Sequence, residues 1–437
     1  MTRGPDEARR AGPWRIAAWC FYDWANSAYP TIIGTFVFAT YFTERVAPDP
    51  VTGASHWGVA MSVSGLLVGL LSPPFGAIAD RTGGQRLWLC GFTLLAAAAA
   101  MALWTVEPDP AFMTRGLVLV VLGTLAFELG TVFYNAMLPA VAPAAMIGRV
   151  SGWGWGLGYV GGLACLVACL ALIQARPPPF GLAETNAEAV RATSVLVGLW
   201  YAGFALPTLL AVPGTPRTGI GIVQAVREGI GAILAILPEL RSQRAVTRFL
   251  LARLLYAEGL NTLFAFGAIY AAGTFAMDTG EVIRLGIAMN VTAGLGAALF
   301  AFADDRFGSR AVVLVSLLSL MGIGALLLLI TSKAAFWALA LPLGTFFGPA
   351  QAASRTLMGR IAPREKLGEY YGLFALTGRA VSFAGPAVLA AATALFASQR
   401  AGMATILFFL GGGALLLWTM REPPRDAARK RRGCAGP

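Results

Sequence analysis

Long apolar segments dominate this sequence and leave few choices of fold. Twelve of them recur, at about residues 15–42, 58–79, 87–106, 116–141, 150–174, 193–212, 246–274, 282–303, 311–331, 334–359, 369–396 and 402–420. A helix that crosses the hydrocarbon core of a bilayer needs about 20 mostly apolar residues. The alternating pattern of barrel strands is absent, and helices satisfy their own backbone where no water can. The sequence therefore predicts an all-α integral membrane protein with twelve transmembrane helices, here called spans 1 to 12.

The charged residues are few and unevenly distributed. They make up 13% of the 437 residues, against about 25% in soluble domains. The basic ones concentrate in alternate loops and in both terminal segments, as Arg9, Arg10, Arg15, Arg81, Arg86, Arg149, Arg217, Arg241, Arg244, Arg248, Arg306, Arg310, Arg360, Arg364, Lys366, Arg429, Lys430, Arg431 and Arg432. By the positive-inside rule these segments face the cytoplasm. We therefore expect an inner-membrane protein with both termini in the cytoplasm. We expect the basic residues behind its net charge of +11 to contact membrane lipids, and we expect no nucleic-acid partner.

An internal repeat divides the spans into two groups of six. Three short motifs recur in the same order roughly 220 to 235 residues later. They are Asp23/Asn26 and Glu258/Asn261, Asp80-Arg81 and Asp305-Arg306, and Ala142-Pro143 and Ala362-Pro363. Such repeats are common in secondary transporters. We expect two pseudo-symmetric six-helix bundles (15–212 and 246–420), a cytoplasmic N-terminal segment (1–14), a cytoplasmic amphipathic linker (213–245) and a basic cytoplasmic tail (421–437).

The turn after span 2 carries a family resemblance. Residues 76–86, GAIADRTGGQR, resemble the signature loop between helices 2 and 3 of the major facilitator superfamily, with Arg86 displaced by one position. Residues 22–29, YDWANSAY, resemble the first-helix motif of the "unknown major facilitator" family, which includes the autophagy-related amino-acid effluxer of the fungal vacuole. FYNAMLP at 133–139 and QAASR at 351–355 fit the same family. The resemblance implies the major facilitator fold and amino-acid export.

Polar residues inside the predicted spans are the main functional signal. A charge in mid-helix costs about 2.5–3.5 kcal/mol on insertion scales, so it tends to mark a site. Polar stripes lie on spans 1, 4, 7 and 10, which line the central cavity in the superfamily that the chain resembles. We predict that a solute or a coupling proton binds at Asp23, Asn26, Glu128, Asn135, Glu258, Asn261, Gln351, Arg355 and Arg379.

The mixture of acids and arginines suits a zwitterion. Arginine presents a planar fork to a carboxylate, and a carboxylate can hold an ammonium group. Glu128 is our first choice for the coupling proton and Glu258 the second. The alternative is that these charges, together with Arg253, form static ion pairs that fix the register of the helices.

Two further features suggest moving parts. Asp80, Arg81, Asp305 and Arg306 lie at the predicted cytoplasmic edge, where an acid can pair with a helix N-terminus or a basic neighbour when that side is shut. We interpret them as gate latches, with topogenic charge alone as the alternative. Spans 5 and 11 are rich in glycine, which lets helices approach closely and slide, so we expect them to form the rocking contact.

These features favour a monomeric secondary transporter for a small, zwitterionic or amino-acid-like solute, working by alternating access, coupled to protons and directed outward. A carrier of a lipid-like or amphipathic solute, an importer, and a scaffold or sensor that keeps a transporter fold are the alternatives. The sequence has no His-rich cluster, no HExxH motif and no phosphate-cradling loop. We therefore expect no enzymatic activity, no cofactor and no metal.

Overall fold

Helices provide the regular secondary structure throughout the described part of the chain. The computed structural model describes residues 12–183, 185–216, 218–379 and 382–420. The first half contains span 1 (Pro13–Asn26, continued by Tyr29–Phe36, Phe38–Tyr41 and Phe42–Val46), span 2 (Pro50–Thr82), span 3 (Gln85–Ala102), span 4 (Met113–Val141), span 5 (Ile147–Gln174) and span 6 (Glu188–Ala211). The second half contains span 7 (Arg244–Phe275), span 8 (Thr279–Phe307), span 9 (Ser309–Leu329), span 10 (Lys333–Ile361), span 11 (Leu367–Arg379 and Ala384–Phe396) and span 12 (Gln399–Trp418).

Ten of the described helices are long and apolar enough to cross a membrane. Spans 1 and 10 are not among them. Span 1 is divided into short pieces, because Pro30 lacks an N–H and lies where the α-helix gives way to π-helical turns. Span 10 is long enough, but Pro342, Pro349 and Gln351 reduce its mean hydropathy.

Span 2 begins earlier than its apolar pattern indicates. Hydrophobicity predicts a start near residue 58, whereas the helix begins at Pro50. The carboxylate of Asp49 accepts hydrogen bonds from the N–H groups of Val51 and Thr52, at 3.0 and 2.9 Å, and so caps the helix. A hydropathy pattern does not detect a polar extension of this kind.

Each half has its own hydrophobic core. In the first half the core is built around Trp19, Tyr22 and Tyr134, all fully buried. In the second half Tyr256, Leu317 and other side chains of spans 7 to 12 form a separate cluster, joined by Val132 and Ala136 of span 4.

The halves meet along two helix–helix interfaces, here called seams, where glycine lets the two backbones pack closely. Span 2 packs against span 11, where a Cβ at Gly76 would overlap the carbonyl oxygen of Gly368. Span 5 packs against span 8, where a Cβ at Gly152 would lie 2.5 Å from the carbonyl oxygen of Ala297. Spans 5 and 11, the glycine-rich pair, therefore each contribute to one seam.

The segment between the halves contains a helix, Ile222–Ser242, called the linker helix. It packs on span 2, where Glu228 lies 3.8 Å from the Nε of Arg81. Residues 1–11 of the predicted N-terminal segment (1–14), Arg217 and the basic tail 421–437 lie outside the described residues, as do the linker side chains at 222, 230 and 232–237.

Candidate transport site and candidate gate

The predicted site residues lie at two depths. We call the end of the molecule that carries Asp80 and Asp305 the gate side. Because each helical residue rises about 1.5 Å, Asp23, Asn135 and Arg355 lie roughly 9–15 Å from the gate-side ends of their helices. The same count places Glu128, Glu258 and Arg379 roughly 18–21 Å in, near the middle of their spans.

The group nearer the gate side is an ion pair sealed between the halves. Arg355 donates from Nη1 to Asp23 at 2.9 Å, from Nε to the hydroxyl of Ser151 at 2.9 Å and from Nη2 to the Ser151 carbonyl at 2.6 Å. Tyr134 donates to the same Asp23 oxygen at 2.9 Å, and Asn135 accepts from Arg355 at 3.5 Å. Arg355 is 3% exposed and Asp23 is 8% exposed.

This arrangement joins span 1 to span 10, and therefore one half to the other. The guanidinium also lies over the ring of Trp19, 4.9 Å from its centroid. Because all three guanidinium nitrogens of Arg355 donate to protein acceptors, the pair acts as a tie between the halves in this conformation. Tyr134 and Ser151, which complete it, were not predicted, although Tyr134 lies in the FYNAMLP motif.

The middle group contains a second pair that also joins the halves. Arg379 of span 11 donates from Nη2 to Glu128 of span 4. The Arg379 side chain is 42% exposed and that of Glu128 is 15% exposed, so this pair is accessible where the first is not.

Three further residues contact the two described parts of span 11. Glu258 is 2% exposed and accepts the N–H of Gly385 at 2.8 Å, at the start of the helix Ala384–Phe396. The Nε of Arg253 donates to the carbonyl of Phe374 at 3.2 Å, and its guanidinium lies 3.4 Å from the centroid of that ring. Asn261 donates to the carbonyl of Gly378 at 3.4 Å.

The remaining predicted site residues are Asn26 and Gln351. Asn26 is buried beside Ser27, whose hydroxyl donates to its side-chain oxygen at 3.4 Å. Gln351 is half-buried on span 10. The three acids do not face one another: Asp23 and Glu128 each pair with an arginine, and Glu258 with backbone.

At the gate side, Asp305 holds the N-terminus of span 5. Its carboxylate accepts the N–H groups of Gly148 and Arg149, at 2.8 and 3.1 Å, and the Nε of Arg149 at 2.9 Å. Arg360 donates to it at 3.3 Å and to the neighbouring Asp304 at 2.8 Å. An anion at a helix N-terminus meets unpaired N–H groups and the positive end of the helix dipole.

Asp80 holds the N-terminus of span 11 in the same manner. Its two oxygens accept the N–H groups of Gly368 and Glu369, each at 2.9 Å, and Gln85 donates to it at 3.1 Å. The repeat in the sequence is thus a repeat of contacts, each reaching from one half into the other.

The arginines of the two turns lie elsewhere. Arg81 donates to the carbonyl of Ala77 at 2.9 Å and faces the linker helix. Arg306 lies over the ring of Phe307, at 5.6 Å. Asp304, Arg360 and Arg149, which strengthen the Asp305 contact, were not predicted as gate residues.

Two large apolar hollows lie away from these charges. One, about 1000 Å³, opens between spans 1, 5 and 8, and the other, about 460 Å³, lies mainly among spans 7, 8, 9, 10 and 12. Tyr159 and Asn290 border both. None of the nine predicted solute-binding residues lines either hollow.

A model of the family described as "Vacuole effluxer Atg22 like" matches residues 43–427. The chain belongs to this Atg22-like family of major facilitator transporters. It is therefore an integral membrane transporter and not an enzyme, and the family resemblance read from YDWANSAY is confirmed.

Relatives of this Atg22-like chain occur in bacteria and fungi. It is 25% identical to the "Uncharacterized MFS-type transporter YxiO" of Bacillus subtilis (strain 168), over 94% of this chain and 96% of YxiO. It is 23% identical to "Autophagy-related protein 22-1" of Penicillium rubens, over 64% of this chain and 50% of that protein. The chain thus matches only about half the length of this fungal relative.

Solved structures agree on the fold. A variant of the E. coli fucose:proton symporter FucP superimposes with a TM-score of 0.68 at 15% identity, covering 94% of this chain and 99% of FucP. The human organic anion transporter MFSD10 gives a TM-score of 0.72 at 15% identity, covering 95% of this chain and 100% of MFSD10. The predicted all-α major facilitator fold, twelve helices in two bundles, is confirmed.

Proposed function

We propose that this protein is an alternating-access carrier that exports a small zwitterionic, amino-acid-like solute and is driven by protons. The observation that carries the proposal is the Glu128–Arg379 pair, which is accessible, lies near the middle of its spans and joins the two halves. A zwitterion can replace each partner of such a pair, with its ammonium on Glu128 and its carboxylate on Arg379.

The contacts of the gate side support alternation. Asp80, Asp305 and the Asp23–Arg355 pair each bind one half to the other, so together they hold this side shut. For the solute to leave or enter on that side, all three must separate. We propose that Asp23 and Arg355 act as an inner gate and that the solute binds beyond them.

The coupling proton is assigned to Glu258 in this proposal. Glu128 already has Arg379 as an ionic partner, so binding a proton there would leave the arginine unpaired. Glu258 is buried and, within the described residues, bonds to a backbone N–H, so it can become neutral without leaving an arginine unpaired. Glu258 therefore takes precedence over Glu128, our first choice from sequence.

The test is counterflow in proteoliposomes with a panel of labelled amino acids. We expect exchange of at least one member, and its loss in Glu128→Gln and Arg379→Gln. The matched control is Glu107→Gln, which removes the acid of a peripheral pair with Arg191 and leaves exchange unchanged. Wild-type exchange in both variants at the central pair would refute the site.

An amphipathic solute is the second candidate, because both hollows are apolar. Exchange of a short-chain acylated amino acid, with none of any free amino acid, would favour it. Solute-induced thermal stabilisation without any exchange would favour a sensor.

We also propose that the protein lies in the inner membrane as a monomer, with the gate side and both termini in the cytoplasm. The bundles correspond to residues 15–212 and 246–420. Labelling of single cysteines placed at the exposed Leu87 and Phe180 by a membrane-impermeant maleimide tests the orientation. Only the second should react in intact cells.

A further inference from the structure

The two gate contacts differ at one equivalent position. In the contact made by Asp305, the residue after the glycine is Arg149, whose side chain returns to the same carboxylate at 2.9 Å. In the contact made by Asp80, the residue after the glycine is Glu369. Its N–H binds Asp80, but its carboxyl group is an acid beside an acid. Where the Asp305 contact has the stabilising cation of Arg149, the Asp80 contact therefore has the carboxyl group of Glu369.

The Glu369 carboxyl group is buried. The residue is 1% exposed, and neither carboxyl oxygen has a hydrogen-bond partner within the described part of the chain. Buried polar groups in proteins are nearly always hydrogen-bonded, and a buried charge without a partner is much more costly than a neutral group.

The ionisable groups near Glu369 come from span 2, the linker helix and the start of span 11. They are Asp80, Arg81, Glu239, Lys366 and Tyr370, and Glu228 lies beside Arg81.

The two nearby cations are engaged with the linker helix. Lys366 forms an ion pair with Glu239 at 2.5 Å, and Arg81 lies 3.8 Å from Glu228. Tyr370 donates its hydroxyl hydrogen to Glu239 at 3.2 Å. The shut gate thus surrounds the carboxyl group of Glu369 with other acids and with cations that already have partners.

We propose that Glu369 is a proton-binding site of the cytoplasmic gate: it holds a proton while spans 2 and 11 are in contact and releases it when they separate. The inference rests on the alternating access proposed above. Separation exposes Glu369 to water, where a glutamate is ionised at neutral pH. The proton is taken from, and returned to, the water of the gate side. Acidification of that side therefore favours the shut gate, and alkalinisation favours the open one.

The position of the gate can be measured by spin-label distances. Leu87, 49% exposed, and Phe307, 68% exposed, lie at the gate side in different halves and outside both contacts. Each is replaced by a labelled cysteine in a cysteine-free background, in nanodiscs, and the short-distance population is followed from pH 5 to 8. We expect the ratio of shut to open to rise by up to about tenfold for each unit of pH lowered, the limit for one proton.

Two variants separate proton binding from a structural role. Glu369→Gln keeps the shape and stays neutral, so the shut population should be high and almost independent of pH. Glu239→Gln releases Lys366 to pair with Glu369, so the midpoint of the titration should move to lower pH. A Glu369→Gln protein that titrates like the wild type would overturn the inference.

The outcome is independent of the solute assignment. A pH-dependent gate abolished by Glu369→Gln, in a protein without counterflow of any amino acid, would keep this inference and reject the proposed solute. Counterflow of an amino acid by a protein whose gate does not respond to pH would keep the proposed solute and reject this inference.

Discussion

Beyond the gate contacts, two carboxylate–arginine pairs of the described residues join the halves of this transporter, and their surroundings differ. Asp23–Arg355 is buried, with Tyr134, Asn135 and Ser151 occupying the remaining hydrogen-bonding groups. Glu128–Arg379 has the same chemistry, but the Arg379 side chain is 42% exposed. The comparison teaches that burial, more than residue type, sets the free-energy cost of removing one member of a charge pair.

The energetics follow from this difference. Removing one member of a buried pair leaves the other charge without compensation and costs about 3–5 kcal/mol. A solvent-exposed pair contributes only about 0–1 kcal/mol, and Glu128–Arg379 is the more exposed of the two pairs. Substitutions at the two pairs should therefore separate stability from transport.

The largest effect is expected from Arg355→Leu. It leaves Asp23 buried and unpaired, which costs about 3–5 kcal/mol and shifts the gate by more than about a hundredfold toward open or unfolded states. Distances between labels at Leu87 and Phe307, together with the thermal midpoint, measure this shift. The double variant Asp23→Asn, Arg355→Leu removes both charges and should recover most of the midpoint. Equal damage in single and double variants would show that charge is not what ties the halves.

A smaller effect is expected from Gly76→Ala. The added Cβ would overlap the carbonyl oxygen of Gly368, so spans 2 and 11 must move apart at a cost of about 1–3 kcal/mol. The label distance should lengthen and exchange should slow. The control is Gly91→Ala, whose Cβ meets nothing within 4 Å and should leave both unchanged. A normal gate in Gly76→Ala would mean that the seam is looser than its glycines suggest.

The smallest effect on stability is expected from Glu128→Gln. Losing this accessible pair should change the free energy of unfolding by no more than about 1 kcal/mol, although exchange is lost. Thermal unfolding alongside Arg355→Leu makes the comparison direct. Destabilisation as large as that of Arg355→Leu would place Glu128 among the ties, and the solute site would have to be sought elsewhere.

Much of the architecture could be predicted from local features. Apolar length predicts the spans, because a backbone in hydrocarbon must be helical and long enough to cross it. The repeat predicts two matching gate turns, and both acids were found at helix N-termini. The edges were harder: the extension of span 2 to Pro50 depends on a cap by Asp49, which hydropathy does not register.

The sequence by itself determined the membrane-spanning helices, the two halves, the family and which polar residues are unusual, because each depends on local composition or order. Only the tertiary structure decided the partners: that Asp23 meets Arg355, that Glu128 meets Arg379, and that the carboxyl group of Glu369 has no hydrogen-bond partner in the described chain. These pairings join residues about 250 or more positions apart, such as Glu128 and Arg379, and the role of a charge depends on its neighbours and its access to water.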